Sequence, residues 1–244
     1  MLKSFFRKIV VAVITAEAKL VLKKYRPKII AITGSVGKTS AKDAIFQVLS
    51  HFQFARKSEK SFNSDIGLPL TIIGCRNGWS NPLIWCRNFV EGLALILLPV
   101  RYPKVLILEV GADRPADIEK VAYWLKPDAV VVTRFAKVPV HVEFFASPAA
   151  LLAEKSHLIK SLKADGVLVL NADDDDVAGL SALFRGRVTT FGFSGTAALT
   201  ASHYSISEKL GSKMPAGVSF RVNYGGSSVP LSLYGAVGRG VVYP

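Results

Sequence analysis

Residues Ala31 to Ile45, AITGSVGKTSAKDAI, constrain this chain more than any other stretch. The apolar run KIIAIT ahead of the loop reads as a short buried strand. After it, KTSAKDAIFQVLSHF carries Ala44, Ile45, Val48 and Leu49 at helical spacing. Between the two, Gly34 and Gly37 permit a tight turn that aims successive backbone N–H groups at one point, Lys38 adds a compact positive charge and Thr39 a hydroxyl suited to Mg²⁺. Strand, glycine loop and helix in that order predict a phosphate-binding loop whose contacts come from Gly34, Ser35, Val36, Gly37, Lys38, Thr39 and Ser40. One departure stands out: Ile32 occupies a position where such loops carry glycine.

A strand that feeds a helix repeats along the chain. KVLILEVGA, DAVVVTRF and GVLVLNADD read as further buried strands, separated by the helical patterns ADIEKVAYWLK and SPAALLAEKSHLIKSL. This alternation predicts an α/β fold with a mostly parallel sheet covered by helices on both faces. After Asp176 the pattern changes. RVTTFGF reads as one more strand, and GVSFRVNYGGSSVPLSLYG alternates apolar residues around a Gly-Gly turn, so a small antiparallel extension is expected near the C-terminus. Asn81 to Pro99, NPLIWCRNFVEGLALILLP, reads as an apolar helix with few charges, for which burial in the core is favoured over contact with a membrane. No closing helix follows GAVGRGVVYP, the pattern of a fragment.

Charge is distributed unevenly. Residues 1–28 carry eight basic side chains against Glu17 alone, more than half of the formal net charge of +13. Phe5, Ile9, Val13, Ala16 and Leu20 recur among them at helical spacing, so residues 1–27 are expected to form a basic amphipathic leader helix ahead of a nucleotide-binding domain over 28–244. The apolar run is too short to cross a bilayer, which takes about 20 residues. The helix could pack on its own domain or lie on an anionic membrane surface. AEA before Lys19 imitates a secretory leader, but a nucleotide loop follows at once and ATP is a cytosolic substrate. The expected location is the cytoplasm, with peripheral contact at the inner membrane face. The charge suits phosphates or acidic lipid, and no nucleic-acid motif accompanies it. Two cysteines, Cys75 and Cys86, supply neither a disulfide framework nor a zinc site.

VLILEVGAD places an acid at the end of an apolar strand, and beside a phosphate loop that acid, Glu109, is the expected carboxylate toward a metal ion. TGSVGKTS, KSFNSDIGLPLTI, LEVGA, VPVHVEFFASPAALLAEKSHLI and NADD then follow one another in the order and at spacings that resemble the central ATPase domain of the Mur ligases over roughly residues 28 to 244. The likeness is strongest to the branch that joins D-alanyl-D-alanine to a UDP-muramoyl peptide. In that family ATP phosphorylates a carboxylate, an amine attacks the acyl phosphate, and an amide forms.

The resemblance implies ATP and Mg²⁺ as cofactors. It implies that Lys38 contacts the β and γ phosphates, that Thr39 and Glu109 hold one Mg²⁺, that His141 serves a second, and that Asn63 lies near the phosphates. It further implies that Lys155 is carbamylated by CO₂, which turns a cation into an anionic metal ligand. Lys38, His141 and Lys155 are thus the expected catalytic residues. Asn171 and Asp173 match a strand-end loop. The sequence departs from the family at Arg134, where asparagine is usual, and at GRGVVYP, where a GxHN turn is usual. The separate domain that holds the UDP-sugar and the C-terminal domain that brings in the amine have no counterpart in the 244 residues. Two rival readings follow: another amide ligase of the superfamily, of folylpolyglutamate or cyanophycin type, or a nucleotide-binding module without turnover. A P-loop kinase explains neither NSDIGLP nor HVEFF.

Overall fold

The computed structural model describes residues 2–59, 65–135, 144–208 and 214–243, with only the backbone described for residues 2–5. In its sheet β1 (Lys28–Thr33) is flanked in parallel by β3 (Val105–Glu109) and β4 (Ala129–Val132). Outside β3 lies β2 (Ala55–Lys57), and outside β4 follow β5 (Val167–Asn171), β6 (Arg187–Gly192) and β7 (Leu199–Glu208), all parallel. The meander of β8 (Pro215–Tyr224) and β9 (Ser227–Tyr234) continues from β7 in antiparallel register, giving the order β2-β3-β1-β4-β5-β6-β7-β8-β9. The expected mostly parallel α/β sheet is present. Its antiparallel part belongs to the same sheet, and β7 adds a strand that the sequence pattern did not disclose.

The hairpin between β8 and β9 turns at Gly225 and Gly226, with φ of 55° and 81°. Two successive positive φ values match the twist of the flanking strands, and glycine adopts them without strain. Val229, Leu231 and Leu233 on β9 are exposed, so this hairpin rests on a small cluster of Ala201, Val218 and Phe220 rather than on the main core.

Alternate residues of β1 enter different layers, as the period of a strand requires. Ile32 joins Val105, Ile107 and Ala41 on the face covered by α2 (Lys38–Leu49). Ile29 and Ala31 join the larger core on the other face. That core is built by α1 (Leu2–Tyr25), α3 (Gly67–Ile73), α4 (Pro82–Leu97), α5 (Asp117–Leu125) and α6 (Pro148–Lys160). Helix starts are written locally. Asn81 accepts from Leu83 N at 2.9 Å ahead of Pro82, and Ser147 accepts from Ala150 N at 3.1 Å ahead of Pro148, each an N-cap followed by proline in the first turn. Beyond β5, α7 (Asp175–Ala178) runs into a 3-10 turn over Gly179–Leu183.

The structure decides between the two readings of the leader and corrects that of α4. The leader packs on its own domain, against α3 and α4, but buries Val10, Ile14, Ala18 and Val21. The stripe that stood out in the sequence stays outside, with Ile9, Val13, Ala16 and Leu20 exposed. α4 is buried along Trp85, Asn88 and Gly92 only, while Leu83, Val90, Leu93 and Leu97 are exposed. Both helices carry apolar residues on more than one face, so periodicity alone cannot choose the buried one. Among the described residues no helix is long and apolar enough to cross a membrane.

Candidate functional site at the phosphate loop

The loop between β1 and α2 is shaped by its two glycines. Gly34 has φ 141°, and a Cβ there would overlap Thr133 Oγ1; Gly37 has φ 85° and stands at the N-cap of α2 with no side-chain cap. The N–H groups of the first turn of α2 therefore open toward the loop, as at an anion site. The loop is clamped from β4's end. Ser35 N and Val36 N donate to Arg134 O at 2.7 and 3.3 Å, and Thr133 Oγ1 donates to Val36 O at 2.7 Å. This corrects the simple picture of a loop whose every amide faces the ligand: those of Ser35 and Val36 bond the neighbouring strand instead.

At the end of β3, Glu109 is 2 % exposed and accepts from Thr39 Oγ1 at 2.9 Å. Its Oε2 also lies 3.5 Å from Nζ of Lys42, itself 2 % exposed. Lys42 was missed in the sequence, although it stands one turn after Lys38 on the same helix, the spacing at which side chains share a face. Burying a carboxylate demands such partners.

Across the cleft, α6 brings in Lys155. Its Nζ donates to Ser35 Oγ at 3.1 Å and lies 4.8 Å from the centre of the Phe135 ring. Burial first, and the charge of Lys38 second, pull the Lys155 ammonium down to about 7. Lys38 is lowered too, by burial, against the opposing pull of Glu109 and Asp113, and its Nζ lies 3.4 Å from Ser35 O. Two lysines thus converge on a cleft of about 190 Å³ walled by Ser35, Gly111 and Ala112. The arrangement wants negative charge.

Next to Lys155 on α6, Glu154 ties that helix to α5. This buried carboxylate accepts from Ala116 N at 3.0 Å, Ile118 N at 2.7 Å and Glu119 N at 3.2 Å, and so caps α5 from a different helix. A charged residue on the inward face of an apolar helix was the available signal, and sequence reasoning passed over it.

On the far side of the loop lies a smaller cavity of about 60 Å³, bordered by Val36, Arg134, Asn171 and Tyr243. Asn171 Oδ1 accepts from Asp173 N at 2.9 Å, and Asp173 in turn accepts from Phe193 N, Ser194 N and the Tyr243 hydroxyl at 2.6 to 2.8 Å. The strand-end loop thereby ties β6 and the last residues to the site. Asp174 adds a bond from Phe135 N at 2.8 Å. Asn63 and His141 lie outside the described residues. Among the described residues no three His, Cys, Asp or Glu side chains gather as a metal cluster.

The model of the Mur ligase middle domain matches residues 88–237. The chain belongs to the Mur ligase family. The matched span takes in Glu109, Glu154 and Lys155, whereas the phosphate loop lies ahead of it. Among curated Mur ligases, the UDP-N-acetylmuramoyl-tripeptide–D-alanyl-D-alanine ligase of Bacillus subtilis is 28 % identical over 157 residues, 64 % of this chain and 29 % of the relative. The ligase of the same name from Mycobacterium tuberculosis is 29 % identical over 180 residues, 74 % of this chain and 30 % of the relative. The chain thus spans less than a third of the length of these relatives.

Solved structures extend the fold likeness over nearly the whole chain. MurF ligase from Thermotoga maritima, in complex with ADP, superposes with a TM-score of 0.74 at 21 % identity, covering 96 % of this chain and 46 % of that one. MurF from Acinetobacter baumannii gives 0.74 at 18 % identity, covering 96 % and 44 %. A folylpolyglutamate-type neighbour, FPGS in complex with AMPPCP and folate, gives 0.62 at 17 % identity, covering 94 % and 58 %.

Proposed function

We propose that this chain is the ATP-binding core of an amide-forming ligase that activates a carboxylate as an acyl phosphate, in the making of peptidoglycan precursors. The observation that carries the reading is the convergence of Lys38 and Lys155 on one cleft beside the Thr39–Glu109 pair. On this reading the substrates of the whole enzyme are ATP, a UDP-muramoyl peptide carrying the carboxylate, and D-alanyl-D-alanine as the amine. The D-alanyl-D-alanine ligases among the relatives, and a TM-score of 0.74 against 0.62 for the folylpolyglutamate-type neighbour, favour this branch. The domain reading remains a leader over 1–27 and a central domain over 28–244.

The chemistry asks little covalent work of the protein, because phosphoryl transfer is chiefly positioning and charge neutralisation. The amides at the start of α2 and the Lys38 ammonium would hold the terminal phosphates. The hydroxyl of Thr39 and the carboxylate of Glu109, 2.9 Å apart, are hard oxygens of the kind that hold Mg²⁺ together with phosphate and water. Bound there, the ion would neutralise charge on the phosphoryl oxygens. His141 is proposed for a second ion and Asn63 for the phosphates on the resemblance alone.

Lys155 is proposed to carry a carbamate. Only the neutral amine adds CO₂, and a lysine brought down to about 7 by burial offers a large neutral fraction at physiological pH. Glu154 positions it through the cap on α5.

Two measurements test this. Mg²⁺-ATP should raise the melting temperature, and Lys38→Ala should abolish most of the shift, because a ligand of the native state stabilises by mass action. Equal shifts in both proteins would remove the loop from the account. With ¹³C-labelled bicarbonate, NMR should show a carbamate resonance that Lys155→Ala eliminates; a resonance that survives the substitution rules out this lysine.

A further inference from the structure

α1 and α4 lie side by side and run in the same direction. Glu17 of α1 packs so closely on Gly92 of α4 that a Cβ there would strike its carboxylate. One helix end further on, Lys24 Nζ donates to the carbonyls of Leu95, Ile96 and Leu98 at 2.8, 3.0 and 2.6 Å, closing the C-terminus of α4. The pair is locked to the domain through the buried stripe of α1.

Outside that seam each helix keeps a second apolar stripe in the open. On α1 it is Phe6, Ile9, Val13 and Leu20, with exposures of 38 to 49 %. Val13 and Leu20 stand one turn before Glu17 and Lys24, the residues turned to α4, so this stripe borders the seam. On α4 it is Leu83, Val90, Leu93 and Leu97, exposed by 50 to 76 %, with Cys86 completing an alternating three- and four-residue spacing. Leu98 and Val100 prolong the surface past the helix end at 54 and 42 % exposure. Scattered exposed apolar residues need no explanation, but two adjoining stripes at helical period mark a contact surface.

The charge beside it is mainly positive, and Asp65, the acid against α1, is bonded to Arg7 at 3.0 Å. Glu17, the sole acid among residues 1–28, is buried against α4, whereas Lys8, Lys19, Lys23 and Arg26 are exposed. On α4 the charges are Arg87 and Glu91, which pair with each other at 2.6 Å. An apolar strip edged by more exposed cations than acids complements an anionic lipid surface, where apolar side chains enter the acyl boundary and lysines meet headgroups. Neither helix can span the bilayer. We propose that α1 and α4 together form one face that seats the domain on the surface of an anionic membrane.

The full 244-residue chain tests this by co-sedimentation with vesicles. Phosphatidylglycerol-rich vesicles should pellet the protein, phosphatidylcholine vesicles should do so far less, and high salt should weaken the anionic binding. Leu20→Glu on α1 and Leu93→Glu on α4 should each lower the vesicle affinity about tenfold or more, because each buries a charge in the boundary layer. Both sites are exposed, and an unchanged Mg²⁺-ATP melting shift certifies the fold and separates this proposal from the nucleotide reading. If Leu93→Glu binds vesicles like the parent, α4 is no part of the face and the proposal fails. If no vesicle is bound, the proposal fails; if analytical ultracentrifugation shows a dimer that the same substitutions dissolve while vesicles are ignored, the face joins copies of the chain instead.

Discussion

The phosphate-loop cleft and the α1–α4 face break the usual partition of side chains in opposite senses. Around the cleft, Lys42, Glu109, Glu154 and Lys155 are each 7 % exposed or less, although charged side chains are rarely that deep. On the helical face, leucines and valines stand in solvent while their neighbours on the same helices are fully buried. Inside, charge is tolerated because geometry satisfies it: Glu154 has three amides, and Glu109 a hydroxyl and an ammonium. Outside, the apolar groups keep 38 to 76 % of their surface in solvent. The first region is expected to be costly to disturb in the isolated chain and the second nearly free.

Four substitutions sharpen or break that contrast. Gly34→Ala should be the most damaging, at about 4 kcal/mol or loss of folding, since its φ of 141° and the overlap with Thr133 leave the new methyl nowhere to go. Urea denaturation measures it, and a mild effect would mean that the loop is looser than its contacts imply. Glu154→Ala should follow at about 3 kcal/mol, because three amides at the start of α5, those of Ala116, Ile118 and Glu119, lose their acceptor at once. The same change should weaken the Lys155-dependent carbamate resonance, which mere loss of stability in a still folded protein would not.

Glu17 supplies the pH test, as a buried acid on the inner side of the exposed face. Burial raises its carboxyl to about 7, and its Oε2 has no hydrogen-bond partner among the described residues. Cys75, itself pushed up to about 12 by burial and by Glu91, lies near enough to feel its charge. The folded state holds this proton at pH values where the unfolded chain, near 4.5, has released it. Stability should therefore fall as pH rises from about 4.5 to about 7 and then level off, by an amount on the order of 3 kcal/mol. Glu17→Gln should match the parent at pH 5 and exceed it at pH 8. A parallel pH profile for both proteins would return Glu17 to solvent. Smallest of all, Leu93→Ser should change stability by about 0.5 kcal/mol or less, as exposed substitutions do. A loss of several kcal/mol would show that α4's outer stripe is core after all.

The sequence made β1, the glycine loop and α2 legible because every signal there is local. A strand period, positive-φ glycines and a helical repeat each act within a few residues. β3 and β5 were legible as apolar runs, and Glu109 as the acid at a strand end. β2 was not, since Ala55–Lys57 is short, polar and half-exposed at the edge. β7 was hidden by its mixed burial and by the register shift after Ser202. α3 escaped as well: GLPLTII is only seven residues long and buried all round, so it shows no polar face to give a period.

By itself, then, the sequence determined β1, the glycine loop, α2 and the apolar strands that follow, the order in which they come, and the family to which their motifs belong. Only the tertiary structure decided which groups meet. The placement of β1 between β3 and β4 is what sets Thr39 beside Glu109 and ties the loop to Arg134. The packing of α6 against α5 is what carries Lys155 to Ser35, 120 positions away in the chain. The same holds for α1 and α4, where two apolar stripes compete and the fold buries one of each. Local propensity reaches about one helical turn. Burial is shared among elements that find each other only once the sheet order exists, so no window of sequence could say which stripe would remain in the open.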